Sequence, residues 1–161
     1  MMLEVIQENL RAIRVYERIG FKISRKLKSF QGKIVPGNEK FRLEKVPFEE
    51  VIEKSSLYDE FYSWDNSGAT IKRSEEIYQT FLVRNHEGRA AGYFVINPDI
   101  GYVAQLELIN GPAGVVFNGL AKISPEVRLN NIYEGRTDLI DVLLKNGLVN
   151  TVNQYEMEMA V

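Results

Sequence analysis

The chain has no cysteine and one histidine, His86, among its 161 residues. Disulfides, thiol nucleophiles and zinc centres of the cysteine–histidine type are therefore excluded, and no metal site is expected. No apolar run approaches the roughly 20 residues that a membrane helix needs, and the N-terminus lacks the basic-then-apolar pattern of a secretory leader. Excess charge is lacking as well: 20 lysines and arginines stand against 22 aspartates and glutamates, a net charge of -2. That balance gives no basic footprint for a nucleic-acid backbone. The local run Arg25-Lys26-Leu27-Lys28 reads as the solvated side of a strand. What is present, 45% hydrophobic and 26% charged residues, is the make-up of an ordinary globular protein with a real core. A cytoplasmic protein with no membrane or nucleic-acid partner is the expectation, as one domain or a domain with an appendage.

Periodicity divides the chain at residues 31–40, where Gly32, Pro36 and Gly37 mark a linker. Ahead of it, Leu3 to Ile6 is a short apolar strand and Gln7-Glu8-Asn9 can cap a helix. Leu10, Ile13, Val15, Tyr16 and Ile19 give that helix an apolar face. Gly20 ends it, and a strand from Phe21 runs towards Phe30. Beyond the linker, Phe41 to Val46 reads as strand and Phe48 to about Tyr62 as helix in one or two pieces. A loop follows at Ser63 to Gly68, with Trp64 as its anchor. Strands are expected at Ile77–Val83, Gly92–Ile96, Tyr102–Ile109, Val127–Tyr133 and Val149–Met159. Asn85-His86-Glu87-Gly88 carries a strong hairpin signal, which leaves His86 in solvent. Helices are expected at Pro112–Ile123 and Arg136–Asn146, the latter ended by Gly147. This is an α/β chain with a mixed sheet.

The end of the chain echoes its beginning. A shift of 127 positions brings Val5 onto Ile132, Ile13 onto Ile140, Val15 onto Val142, Gly20 onto Gly147 and Phe21 onto Leu148, mostly keeping apolar character. Any two strand-helix-strand units produce some echo of this kind, so the pattern is compatible with chance or with a true internal repeat.

Asn9, Ala12, Tyr16, Gly20 and Phe21 together resemble the GNAT (GCN5-related N-acetyltransferase) pattern of an asparagine, a small residue, a tyrosine and a Gly-Phe pair after the strand beside acetyl-CoA. The resemblance implies a GNAT-like, acyl-CoA N-acyltransferase fold. It also implies transfer of an acetyl group from acetyl-CoA, as co-substrate, to an amine that the sequence does not identify. Carried over, Asn9 falls near the cofactor arm and Tyr16 becomes the acid that protonates the departing CoA thiolate. The plain alternatives are that Asn9 caps the helix and Tyr16 packs on its face. In the family this segment comes late, so residues 1–30 read as the C-terminal remnant of a first GNAT unit and 41–161 as a second, degenerate one. A non-catalytic GNAT-fold module for assembly or ligand binding is the other reading.

In the second unit Glu107 lies on the strand where many GNAT enzymes hold a general base. Its alternative is a carboxylate on an exposed or half-exposed strand face. The family's pyrophosphate loop would fall at Leu108-Ile-Asn-Gly-Pro-Ala-Gly114. That turn keeps glycines but not the lead residue or the spacing, and Pro112 removes an amide donor. Leu143 stands where the echo places Tyr16, and Arg136 where it places Asn9. Gln105, Asn130 and Asn131 interrupt apolar strands and can serve a ligand or local backbone groups. Strands 3–6 and 21–27 need neighbours, either in the second unit's sheet or across a molecular axis, and on that ground a homodimer is expected.

Overall fold

The computed structural model describes residues 1–53 and 59–160. The chain opens with β1 (Met2–Ile6), α1 (Leu10–Ile19) and β2 (Lys22–Lys33), then β3 (Phe41–Val46). Single 3₁₀ turns lie at Phe48–Glu50, Asp59–Phe61 and Trp64–Asn66, and α2 covers Gly68–Arg73. The remainder runs β4 (Gln79–Asn85), β5 (Ala90–Asn97), β6 (Tyr102–Leu108), α3 (Ala113–Ile123), β7 (Glu126–Tyr133), α4 (Thr137–Lys145) and β8 (Leu148–Glu158). Of the helix expected over Phe48–Tyr62 in one or two pieces, the structure describes a 3₁₀ turn at each end and helical residues at 52–53, and 54–58 lie outside the described residues.

Local chemistry sets the boundaries of α1. The Asn9 side chain accepts a hydrogen bond from the Ala12 amide at 3.1 Å and caps α1, and Gly20 closes the helix at φ 113°. A residue with a Cβ is strained there. Of the expected apolar face only Ile13 is fully buried. Leu10, Val15 and Ile19 are 60%, 47% and 59% exposed, because the cluster beneath α1 is small, with Val5, Phe21 and Met157 buried and Leu3, Tyr155 and Met159 partly so.

All eight strands form one sheet in the order β1-β8-β2-β7-β6-β5-β4-β3, so β1 and β2 lie in the same sheet as the strands that follow residue 40. Every contact is antiparallel except β6 with β7. These two are parallel and in register only at Tyr102↔Arg128, so beyond that pair they splay. One face of the sheet carries α3 and α4 over Phe94, Leu106, Leu120, Leu139 and Leu143. The other is covered by the segment after β3, with Phe48, Val51 and Ile71 against Leu82, Tyr93 and Ala104.

The 127-residue echo is built into the strand register. The pair Leu27↔Gln154 maps onto itself under that shift, and every β2–β8 pair from Lys22↔Glu158 to Gln31↔Val149 maps onto another observed pair. The two bulges in this ladder fall at Ser24 and Thr151, again related by the shift. Their hydroxyls make the same bond, Ser24 to the Glu156 carbonyl at 3.2 Å and Thr151 to the Ser29 carbonyl at 3.3 Å. Ile6↔Gln154 and Val5↔Tyr155 likewise repeat as Tyr133↔Leu27 and Ile132↔Lys28. A local two-fold therefore runs between β2 and β8, relating β1 and α1 to β7 and α4. The relation slips by one residue beyond Lys28, where β7 bulges at Asn131 with φ 59°.

Candidate functional site

The splay between β6 and β7 is where the sheet opens a cleft, and its mouth is formed by Phe61, Glu107, Leu108, Gly135, Arg136, Asp138 and Leu139. The residues inside close it. Glu107 is 1% exposed, neither the half-exposed carboxylate nor a solvent-facing base. Arg136 donates to both its oxygens, Nη1 to Oε1 at 2.7 Å and Nη2 to Oε2 at 3.1 Å, and the Tyr62 hydroxyl donates to Oε1 as well. The Arg136 guanidinium also lies 5.9 Å from the Phe61 ring. Burial works against the guanidinium's charge, but the bond and charge of Glu107 outweigh it and raise its pKa. Burial, then the Glu107 charge, pushes the Tyr62 phenol well above its ordinary range. What stays open is about 200 Å³, less than the few hundred Å³ of a typical small-molecule site.

Arg136 takes this position because of the internal two-fold. It occupies the N-cap of α4 at φ -80°, ψ 60°, matching Asn9 at φ -82°, ψ 65°, yet it makes no capping bond. The backbone is kept while the side chain is freed to reach Glu107. Leu143, the counterpart of Tyr16, is 0% exposed in the main core.

The turn into α3 does not offer a clear anion seat either. Pro112 is the N-cap and makes no side-chain bond to the helix. The linker instead crosses its flank. The Gly37 amide donates to Asn118 Oδ1 at 2.7 Å, and Asn118 Nδ2 donates to the Glu39 carbonyl at 3.0 Å and to Glu39 Oε2 at 3.2 Å. The Glu39 carboxylate thereby stands within 2.7 Å of where a Gly114 Cβ would be. A phosphate approaching the first turn of α3 would meet a carboxylate.

Tyr16 and Asn9 sit elsewhere, on α1. Tyr16 is half-buried, edge-on to Phe21 with ring centroids 6.0 Å apart, and packs with Val5, Ile13 and Met157. Asn9 is exposed apart from its cap bond. Glu107 belongs to the other half of the sheet and, among the described residues, shares no bonding partner with them. Several polar positions prove structural. Gln105 Nε2 donates to the Asn66 carbonyl at 2.9 Å, Asn66 Nδ2 donates to the Asn130 carbonyl at 3.0 Å, and Tyr102 donates to Asn66 Oδ1 at 2.7 Å. Trp64 is 57% exposed and so does not anchor its loop, whereas Asn66, 1% exposed, does. Arg25 is not solvated but is paired with buried Glu156. His86 is exposed, as its hairpin position requires.

Glu4 and Asn131 are mates under the two-fold and meet at it, Asn131 Nδ2 donating to Glu4 Oε2 at 2.7 Å. Asp65 lies at the same amide, 3.3 Å away, and Glu4 Oε1 and Asn131 Oδ1 are buried without a hydrogen-bond partner. Desolvation first, then the Asp65 charge, raises the Glu4 pKa from 4.5 to about 7. The folded state therefore favours protonated Glu4. Its stabilising contribution is complete below the unfolded pKa and is lost as pH rises from 4.5 through about 7. Glu4→Gln replaces a repelled carboxylate with an amide that can donate to Asp65. Discounted for partial exposure, the variant is expected to gain about 2 kcal/mol over the parent at about pH 8 and nothing at about pH 4. Urea unfolding at the two pH values checks this, and an equal gain at both would place the effect elsewhere.

No family model matches the chain, and no curated protein matches it. Solved structures do, at low sequence identity. A GCN5-related N-acetyltransferase from Kribbella flavida aligns over 99% of this chain and 68% of its own, with 13% identity and a TM-score of 0.64. One from Anabaena variabilis aligns over 97% of this chain and 45% of its own, at 13% identity and 0.62. One from Sphaerobacter thermophilus aligns over 97% and 58%, at 14% and 0.59. The chain thus spans little more than half of that last relative's length. The mixed sheet, its single parallel pair and these superpositions agree: the chain has the fold of the GCN5-related N-acetyltransferases.

Proposed function

We propose that the chain takes part in transfer of an acetyl group from acetyl-CoA to an amine, with its working residues on α1 and the β6–β7 cleft serving as a structural counterpart. The observation that carries this reading is the contrast across the internal two-fold. On α1 Asn9 is exposed and Tyr16 half-buried, while their counterpart Arg136 is held on Glu107 in the second cleft and Leu143 is buried in the main core. The residues of the second cleft do not fit acetyl-CoA: the opening is small, an ion pair fills it, and Glu39 stands at the turn where phosphate charge would need amide donors. The residues of α1 fit better. Bound acetyl-CoA would supply the activated acetyl group and a thiolate leaving group. Tyr16 would give its Oη proton to that sulfur, and Asn9, its backbone fixed by the cap, would touch the cofactor arm. Glu107 in this reading holds Arg136.

Nuclear magnetic resonance of the labelled chain titrated with acetyl-CoA tests the assignment. Weak, millimolar shifts at Asn9, Ala12 and Tyr16 are expected, with no measurable turnover by the chain alone. Tight binding that perturbs the Asn110–Gly114 turn would move the cofactor to the second half, and no perturbation anywhere would sink the acetyl-CoA reading.

A further inference from the structure

The two halves related by the two-fold are unequally covered. Ile6, Asn9, Ala12 and Tyr16 correspond to Tyr133, Arg136, Leu139 and Leu143. In the second half Leu139 and Leu143 are 2% and 0% exposed, and Tyr133 and Arg136 are partly buried. In the first half Ile6 is 47% exposed, Asn9 is exposed, and Ala12 and Tyr16 are only half-buried. All four differences have the same sign. The four residues fall three or four apart, which puts the α1 members on one stripe continuous with the end of β1. Their counterparts are covered by different neighbours: Leu139 and Leu143 lie in the core with α3, Arg136 reaches Glu107 on β6, and Tyr133 stacks on Phe61.

The strand edge beside this stripe is also unguarded. The opposite edge strand, β3, carries Arg42, Glu44 and Lys45, charges that discourage pairing. Strand β1 has only Glu4, and its carboxylate turns inward to Asn131. Among the described residues no strand lies outside β1.

We infer that the β1 edge and the Ile6–Asn9–Ala12–Tyr16 stripe form a docking face for a parallel strand, turn and helix of the same fold, entering beside β1 and α1 as β6 and α3 enter beside β7 and α4. The ladders fix the register: Met2 pairs with Glu158 as Arg128 pairs with Gln31, so after the one-residue slip at Asn131 the incoming strand meets β1 at Met2, the counterpart of Arg128 in the Tyr102↔Arg128 pair. A second copy pairing β1 with β1 is disfavoured because the internal relation calls for a parallel partner. Asn9 and Tyr16 lie in the stripe, so the seam would complete the α1 site; only this last point rests on the acetyl-transfer reading.

The test fuses a copy of residues 41–127 directly ahead of Met2, in place of Met1, so that Val127 runs into Met2 as it runs into Arg128 in the chain. Hydrogen exchange then compares β1 in the fusion and in the parent. Exchange of the outward-facing β1 amides is expected to slow by at least about tenfold, and Ala12→Arg in the fusion to abolish the slowing while leaving the parent's melting temperature unchanged. A second fusion, with the corresponding front part of the Kribbella flavida acetyltransferase, covers a copy that does not fold. Failure of both to protect β1 overturns the inference. So does a parent that sediments as a dimer with its β1 amides already protected, which would assign the face to a second copy. Protection of β1 without acetyl-CoA binding would count against the proposed activity and leave the docking face standing.

Discussion

Arg136→Ala is expected to destabilise the chain by about 3–5 kcal/mol, the usual cost of stripping one partner from a buried ion pair. The size follows from what is left behind. Glu107 is 1% exposed, and without the guanidinium its carboxylate keeps only the Tyr62 hydroxyl among the donors it has now. The Phe61 ring loses its cation as well. Two controls separate charge from packing. Arg136→Met with Glu107→Leu removes both charges and should recover most of the loss, since a well-packed apolar pair replaces a buried ionic one at little cost. The single variant should also be less damaged in acid, where an unpaired buried carboxylate takes up a proton. Denaturant unfolding at neutral and acid pH reads both effects. A loss below about 1 kcal/mol would mean that water reaches Glu107 and that the cleft is open.

The features behind this prediction were only partly legible in the sequence. Strand and helix positions came through because alternation and caps are local: Asn9, Gly20 and Gly147 mark helix ends by their own chemistry. The GNAT pattern on α1 pointed to the fold that the superpositions show. The 127-residue echo was visible too, but sequence could not separate it from coincidence, because apolar matches are common between any two strand-helix-strand units. Register decides the matter, since a pair such as Leu27↔Gln154 mapping onto itself is a statement about neighbours in space. The Glu107–Arg136 pair was illegible for the same reason. Nothing near Glu107 in sequence says that an arginine 29 residues later turns back into the splay. A signal did exist, in that an arginine stands where the echo demands a capping asparagine. An N-cap residue that cannot cap has been put to another use.

Arg25→Ala is the companion case, and its expected cost is again about 3–5 kcal/mol. Arg25 looks from sequence like one charge in a basic run on a solvated strand. In the sheet its Nε donates to Glu156 Oε1 at 2.7 Å and its Nη2 to Oε2 at 2.8 Å, a two-pronged grip on a carboxylate that is 0% exposed. The remaining donors reach across to the covering segment, Nη1 to the Glu60 carbonyl at 2.5 Å and Nη2 to the Tyr62 carbonyl at 3.2 Å. One guanidinium thus ties β2 to β8 at the two-fold and holds the 59–62 segment whose Tyr62 closes the cleft on Glu107. Lysine cannot make that fork, so Arg25→Lys should recover less than half of the loss. Glu156→Gln, which keeps the shape and an acceptor but removes the charge, should cost about 1–2 kcal/mol. Because the tie runs on through Tyr62, Arg25→Ala should also speed amide exchange around Phe61 and Tyr62 more than in β4 and β5. Denaturant unfolding and hydrogen exchange on the same variant read the two consequences separately. Equal loosening everywhere would show that Arg25 stabilises only the sheet and has no hold on the cleft.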